Sequence, residues 1–181
     1  DLAVAKQHEN RFIAESQSLE TLSLLALARK AVAQVGDGEA ATSRALQASI
    51  AFQEGVVYST ARRLMAQNAA HHAESRQKMQ EHQAKAIEKY RECAKLDPSI
   101  GEAWFNLGLL LEGQDPAAAQ AAFLRVVELS GAEDLGVRAA RALFEMKGAT
   151  ASLDAELFAP LTNLYLAEAK EDLAVAKQHE N

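Results

Sequence analysis

Apolar residues recur at helical spacing from the first residues of the chain. Up to about residue 33 neither proline nor glycine interrupts them, and they follow one another at intervals of three, four and seven: Leu2, Ala5, Phe12, Leu19, Leu22 and Ala26. The whole chain has only three prolines and nine glycines, and much of its apolar content is alanine. This pattern predicts an all-α fold in which long helices meet through small side chains.

Two long helices are predicted before Pro98. The segment Val35–Gly38 carries two glycines, which suit the end of a helix and a tight reversal. Residues 39–96 contain no proline and a single glycine, Gly55, so one helix of that length is expected. With the helix near 1–34 it would form a long antiparallel hairpin.

Three shorter helices are predicted beyond this hairpin, over residues 100–111, 116–129 and 133–146. Another helix is expected from residue 153 onward. The predicted organisation is therefore a long hairpin over 1–85, completed by 152–181, and a cluster of short helices over 86–150.

The first ten residues, DLAVAKQHEN, return unchanged as residues 172–181. A match of this length does not arise by chance, and self-similarity at a fixed period indicates repeat architecture. The offset between the two copies is 171 residues, which predicts a tandem array in which residues 172–181 begin the next unit. The alternative is an engineered or circularly permuted chain.

Small, aromatic and proline residues follow a recognisable spacing in residues 86–129. The positions are Ala86, Tyr90, Cys93, Pro98, Trp104, Leu107, Gly108 and Phe123. With them the segment resembles the tetratricopeptide repeat (TPR) family, in which small residues let helices approach and aromatic residues fill the space beside them. Phe123 comes one residue early for this pattern, and no proline follows Leu129.

The resemblance implies helical hairpins that stack to offer a groove for a protein or peptide, without catalysis. It covers about 45 of the 181 residues and neither long helix. The alternative for the same segment is a generic alanine-rich helical bundle.

Charge narrows the set of partners. The formal net charge is −6, and lysine and arginine are interspersed with acidic residues. A nucleic-acid partner is not expected, because it needs a concentrated basic face, and no apolar run is long enough for membrane insertion. The single cysteine, Cys93, excludes an internal disulfide. It is compatible with a reducing compartment, and a cytoplasmic location is predicted.

Candidate catalytic and metal-binding residues are few. His71, His72 and Glu74, with His82 further along, come nearest to a metal site. Neighbouring histidines point in different directions on a helix, however, and no pair has the spacing of four residues that zinc sites use. Solvated histidines are favoured, and Cys93 occupies a packing position of the repeat pattern. No catalytic, metal or cofactor site is predicted, and the chain is not expected to be an enzyme.

Residues 67–85 form an unusually polar stretch. Their one large aliphatic side chain is that of Met79. A solvated stalk held by alanine contacts is favoured, because a helix that packs on one side needs an apolar face. A partner surface or a flexible waist is the alternative.

Two functions remain open. The first is a structural scaffold, in which many copies form an extended helical array that binds protein and associates end to end. The second is a discrete TPR-like adaptor that binds a peptide or protein partner, with the terminal duplication introduced by engineering.

Overall fold

The structure, a computed structural model, describes residues 2–34, 40–66, 73–130, 133–146 and 170, with the backbone alone for residues 2–15 and 73. These ranges form helices and contain no strand, so the fold is all-α, as predicted. The helices are α1 (Leu2–Val32), α2 (Ala40–Ala66), α3 (Ala73–Leu96), α4 (Gly101–Leu111), α5 (Pro116–Ser130) and α6 (Asp134–Met146).

The single long helix predicted over residues 39–96 is wrong, because this range contains two helices, α2 and α3, that pack against each other. The pairing is antiparallel. Phe52, near the middle of α2, contacts Tyr90 near the end of α3, with ring centroids 5.9 Å apart. Arg62, later in α2, donates to Gln83, earlier in α3, over 3.0 Å.

The physical reason for this reversal is burial of apolar surface. The side of α2 that includes Ala51 and Gly55 is buried, as is the side of α3 that includes Ala86 and Tyr90. One continuous helix would leave both of these sides in water, whereas the hairpin removes them from it together.

Helix α1 packs on α2 along one side only. Its less exposed residues recur at intervals of three and four: Ser18, Leu22, Leu25, Arg29 and Val32. This is the spacing of one helical face, and Val32 alone among them is buried. The remaining circumference of α1 between residues 16 and 34 is exposed.

The chain divides into two compact units, Asp1–Ala103 and Trp104–Asn181. Helix α3 runs without interruption through the boundary expected between residues 85 and 86. Apart from Lys170, residues 152–181 lie outside the described ranges. The helix expected there, its contribution to the hairpin and the duplicate at 172–181 therefore stay predictions.

In the second unit, the ring of Phe123 on α5 is fully buried against α4. It meets Phe105 edge to face with centroids 5.7 Å apart. Helix α5 begins as expected, because the Asp115 carboxylate accepts a hydrogen bond from the Ala118 amide over 3.1 Å and Pro116 occupies the first helical position. Helix α6 packs against α5.

Candidate protein-interaction cleft

A cleft of about 290 Å³ lies among α1, α2 and α3. It is lined mainly by aliphatic side chains, among them Leu19 and Leu22 from α1 and Leu64 and Met65 from α2. Leu19 is 69% exposed and Leu22 and Leu64 are half-buried, whereas Met65 is buried. Such a surface favours occupation by apolar side chains, because filling it removes hydrocarbon from water on both sides.

The polar groups of the cleft come from all three helices, and its one lysine lies on α3. Lys78 and His82 line the cleft one helical turn apart, and no carboxylate joins them among the described lining residues. The His82 ring lies 6.0 Å from that of Tyr58, which is also part of the lining. Lys85 places its Nζ 5.5 Å from the centroid of Tyr58, within range of a cation–π interaction. Lys78 itself pairs with the exposed Glu74 over 2.9 Å.

An ion-pair network joins the three helices that form the cleft. Arg29 on α1 donates to Glu54 on α2 over 2.7 Å and to Glu92 on α3. Lys89 lies 3.1 Å from each of the same two carboxylates. The side chain of Glu54 is only 10% exposed. Its burial is tolerated because two cations neutralise it.

The network shifts the pKa of its members. Hydrogen bonding to Glu92, ahead of the contact with Glu54, raises the pKa of Arg29 despite partial burial. Burial opposes the charges of Lys89 and Glu92, but their mutual hydrogen bond and those to Glu54 and Arg29 outweigh it. The pKa of Lys89 is thereby raised and that of Glu92 lowered. All three groups are thus held in their charged forms, as a helix-positioning network requires.

The eight residues that carry the TPR resemblance lie in two packing centres, one in each unit. Ala86, Tyr90 and Cys93 are buried in the first unit, and Leu107, Gly108 and Phe123 are buried in the second. Trp104 is half-buried and Pro98 is exposed in the turn after α3. Seven of these eight positions are thus at least partly buried.

A glycine faces the principal aromatic residue in each centre. A Cβ atom placed on Gly108 would lie 2.6 Å from Cε1 of Phe123, and one placed on Gly55 would lie 2.7 Å from Cε1 of Tyr90. Gly108 belongs to the recognised pattern. Gly55 was missed as a packing residue, although an isolated glycine inside a helical segment is itself a signal of close approach.

The structure describes some of the other candidate residues but not all of them. His71 and His72 lie outside the described residues. Among those that are described, no group of three histidine, cysteine or acidic side chains could hold a metal ion. Burial, aided by the nearby carboxylates of Asp97, Glu92 and Glu102, raises the pKa of the Cys93 thiol to about 11. That pKa suits a packing residue better than a nucleophile.

No family model, curated protein or solved structure matches this chain. Within the ranges that the structure describes, no helix has both the length and the apolar character needed to cross a membrane.

Proposed function

We propose that this chain is one unit of a helical repeat protein that binds protein surfaces, has no catalytic role and extends as a scaffold. The observation that carries the proposal is the open cleft among α1, α2 and α3, with its aliphatic lining. Side chains of a protein partner fit such a cleft, because specific pockets combine apolar walls with a few placed polar groups. Ser18, Tyr58, Lys78 and His82 are the polar groups here.

Two features support assembly into an array. The identity of residues 1–10 and 172–181 indicates that one unit leads into the next. In both units a glycine, Gly55 or Gly108, also lets one helix approach an aromatic residue of the next closely, which supports packing through small residues. A reducing compartment such as the cytoplasm suits the single, buried Cys93.

A discrete adaptor is the second candidate, and the size of the cleft favours it. Its volume of about 290 Å³ is near the lower end of the roughly 300–1,000 Å³ typical of ligand pockets. That space suits a few side chains of one bound peptide. In this case each unit would function alone, and joining units would add nothing to their stability.

Unfolding of joined units distinguishes the two candidates. Polypeptides with one, two and three copies of residues 1–171 are unfolded in guanidinium chloride and followed by circular dichroism. In an array each interface between neighbouring units adds to the free energy of unfolding. The guanidinium chloride concentration at the unfolding midpoint should therefore rise with copy number. An unchanged midpoint would contradict the scaffold and favour the adaptor.

A matched control isolates the interface from chain length. The same two units are joined through a flexible glycine–serine linker, which keeps them tethered but removes helical continuity. If continuity between units carries the coupling, this chain should unfold at the midpoint of a single unit. A midpoint equal to that of the directly joined pair would show that the coupling does not depend on continuity.

A further inference from the structure

Helix α1 carries leucines on two opposite sides. Leu22 and Leu25 lie on the side that packs on α2, whereas Leu24 and Leu27 lie on the other and are 59% and 62% exposed. At 100° per residue, Leu24 is about 160° away from Leu22 around the helix axis. A helix that is apolar on both sides belongs between two layers of protein. Only one of these layers is present among the described residues.

The outer side of α1 forms a compact stripe. Leu24 and Leu27 are three residues apart and therefore neighbours on the helix surface, and Glu20 lies one turn before Leu24 on the same side. The side chain of Glu20 is exposed as well. We call Glu20, Leu24 and Leu27 the outer stripe. It offers two adjoining branched side chains with a carboxylate at one end.

The cleft among α1, α2 and α3 has the complementary size. An apolar cavity of roughly 150 Å³ already accommodates benzene, so the cleft, at about 290 Å³, has room for two leucine side chains. Its lining by Leu19, Leu22, Leu64 and Met65 gives these side chains aliphatic contacts.

The charges are complementary too. Lys78 and His82 line the cleft without a carboxylate among the described lining residues, whereas the outer stripe carries the carboxylate of Glu20. Glu74, which pairs with Lys78 over 2.9 Å, is 79% exposed at its side chain. A pair this exposed is weak, so Lys78 can turn to a second carboxylate at little cost.

We propose that the outer stripe of one copy docks into the cleft of a second copy, with Leu24 and Leu27 as its apolar anchors. The inference rests on the proposed function, because it names the neighbour that an array of units provides. The stripe and the cleft are different surfaces of the same unit. Their contact is therefore heterologous and leaves one stripe and one cleft free, which propagates an open chain of copies.

Sedimentation velocity of the intact chain, from low micromolar to near-millimolar concentration, tests the stripe. The wild-type chain should form larger species as concentration rises. Leu24→Asn with Leu27→Asn should weaken association by at least roughly tenfold, since buried apolar anchors dominate most interfaces. Leu46→Asn is the matched control, because Leu46 is 46% exposed on α2 but belongs to neither surface, and it should associate like the wild type.

Variants of the cleft test the other side of the contact. Leu64→Glu places a carboxylate in the lining, and Lys78→Glu reverses the charge there with less risk to folding, because its side chain is 44% exposed. Each should weaken association while the helical circular dichroism is kept. Because the Lys78 side chain is partly exposed, Lys78→Glu should fold and still test the cleft if Leu64→Glu does not fold.

Mixing the two classes of variant gives the sharpest result. A stripe variant keeps its cleft and a cleft variant keeps its stripe, so a mixture should form a one-to-one complex that does not grow further. Mixed variants that stay monomeric would overturn the proposal.

The remaining outcomes separate this inference from the proposed function. If the wild type associates and the stripe variants associate equally well, the docking is wrong. If copy number nevertheless raises the unfolding midpoint, the array stands. If the wild type stays monomeric and the midpoint is constant, both fail and the adaptor is favoured.

Discussion

Gly108 and Phe123 pack so closely that any side chain on Gly108 would meet the ring. A Cβ atom at that position would lie 2.6 Å from Cε1 and 2.8 Å from Cζ of Phe123, and the ring is fully buried. Gly55 and Tyr90 repeat the relationship in the other unit, at 2.7 Å. In both places a glycine within one helix makes room for an aromatic residue of the next.

Replacing Gly108 with alanine should therefore destabilise the chain. Alanine gains up to about 1 kcal/mol of helix propensity over glycine, but overpacking a core costs about 1–3 kcal/mol, and the buried ring of Phe123 has little room to move. We expect a net loss of about 1–2 kcal/mol in urea unfolding. The matched control is Gly113→Ala, where a Cβ would meet nothing within 4 Å; a loss as large there would contradict the steric explanation.

Truncation of Tyr90 to alanine should cost about 3–5 kcal/mol, as for other buried aromatic residues. Tyr90 is only 1% exposed, and its hydroxyl lies 3.2 Å from Oγ of Ser59. Tyr90→Phe keeps the ring and should cost about 0.5–1.5 kcal/mol for that hydrogen bond. A loss below about 1 kcal/mol for Tyr90→Ala in urea unfolding would show that the ring contributes little to the packing of α2 on α3.

Because of the ion-pair network, we expect the free energy of unfolding to depend on pH in the acidic range. The pKa of Glu92 in the folded chain lies below its usual 4.5. The unfolded chain therefore binds the proton first as the pH falls. Stability from this carboxylate is present above pH 4.5 and is lost as the pH falls through the lower, folded pKa.

Glu92→Gln should remove this part of the acid dependence and cost about 0.5–1 kcal/mol at neutral pH, because the network is only partly buried. Thermal unfolding between neutral and acidic pH measures both effects. The matched control is Glu128→Gln, which breaks a 2.7 Å ion pair with Arg125 whose two side chains are 40% and 56% exposed. That variant should change stability little, and an equal loss would show that burial of the network does not matter.

Cys93 should resist modification while the chain is folded. Its thiol has a pKa of about 11 and no exposed surface, and the thiolate is the reactive form. At pH 8 a thiol reagent should label the native chain at least roughly a hundredfold more slowly than the chain in guanidinium chloride, because reaction requires opening of the structure. Labelling at equal rates would show that the packing of other residues against α3 does not shield this thiol.

The breaks between the short helices could be predicted because each has a local cause. Pro98 cannot continue α3, Asp115 and Pro116 begin α5, and glycine separates α5 from α6. The predicted helices at 100–111, 116–129 and 133–146 agree with α4, α5 and α6 within one residue at each end. Tyr90, Cys93 and Phe123, which the TPR resemblance assigns to packing positions, are buried.

The candidate site could not be predicted in the same way, because it depends on which helix sides meet. No local breaker marks the reversal between α2 and α3, and the favourable free energy comes from apolar surfaces that are far apart along the chain. The contact between Arg29 and Glu92 spans 63 positions, and the cleft draws on three helices. The helical class and the local helix ends can be read from the order of residues, since they depend on backbone sterics and short-range periodicity. The hairpin of α2 and α3, the cleft and the exposed side of α1 arise only when the helices pack, since they depend on long-range burial.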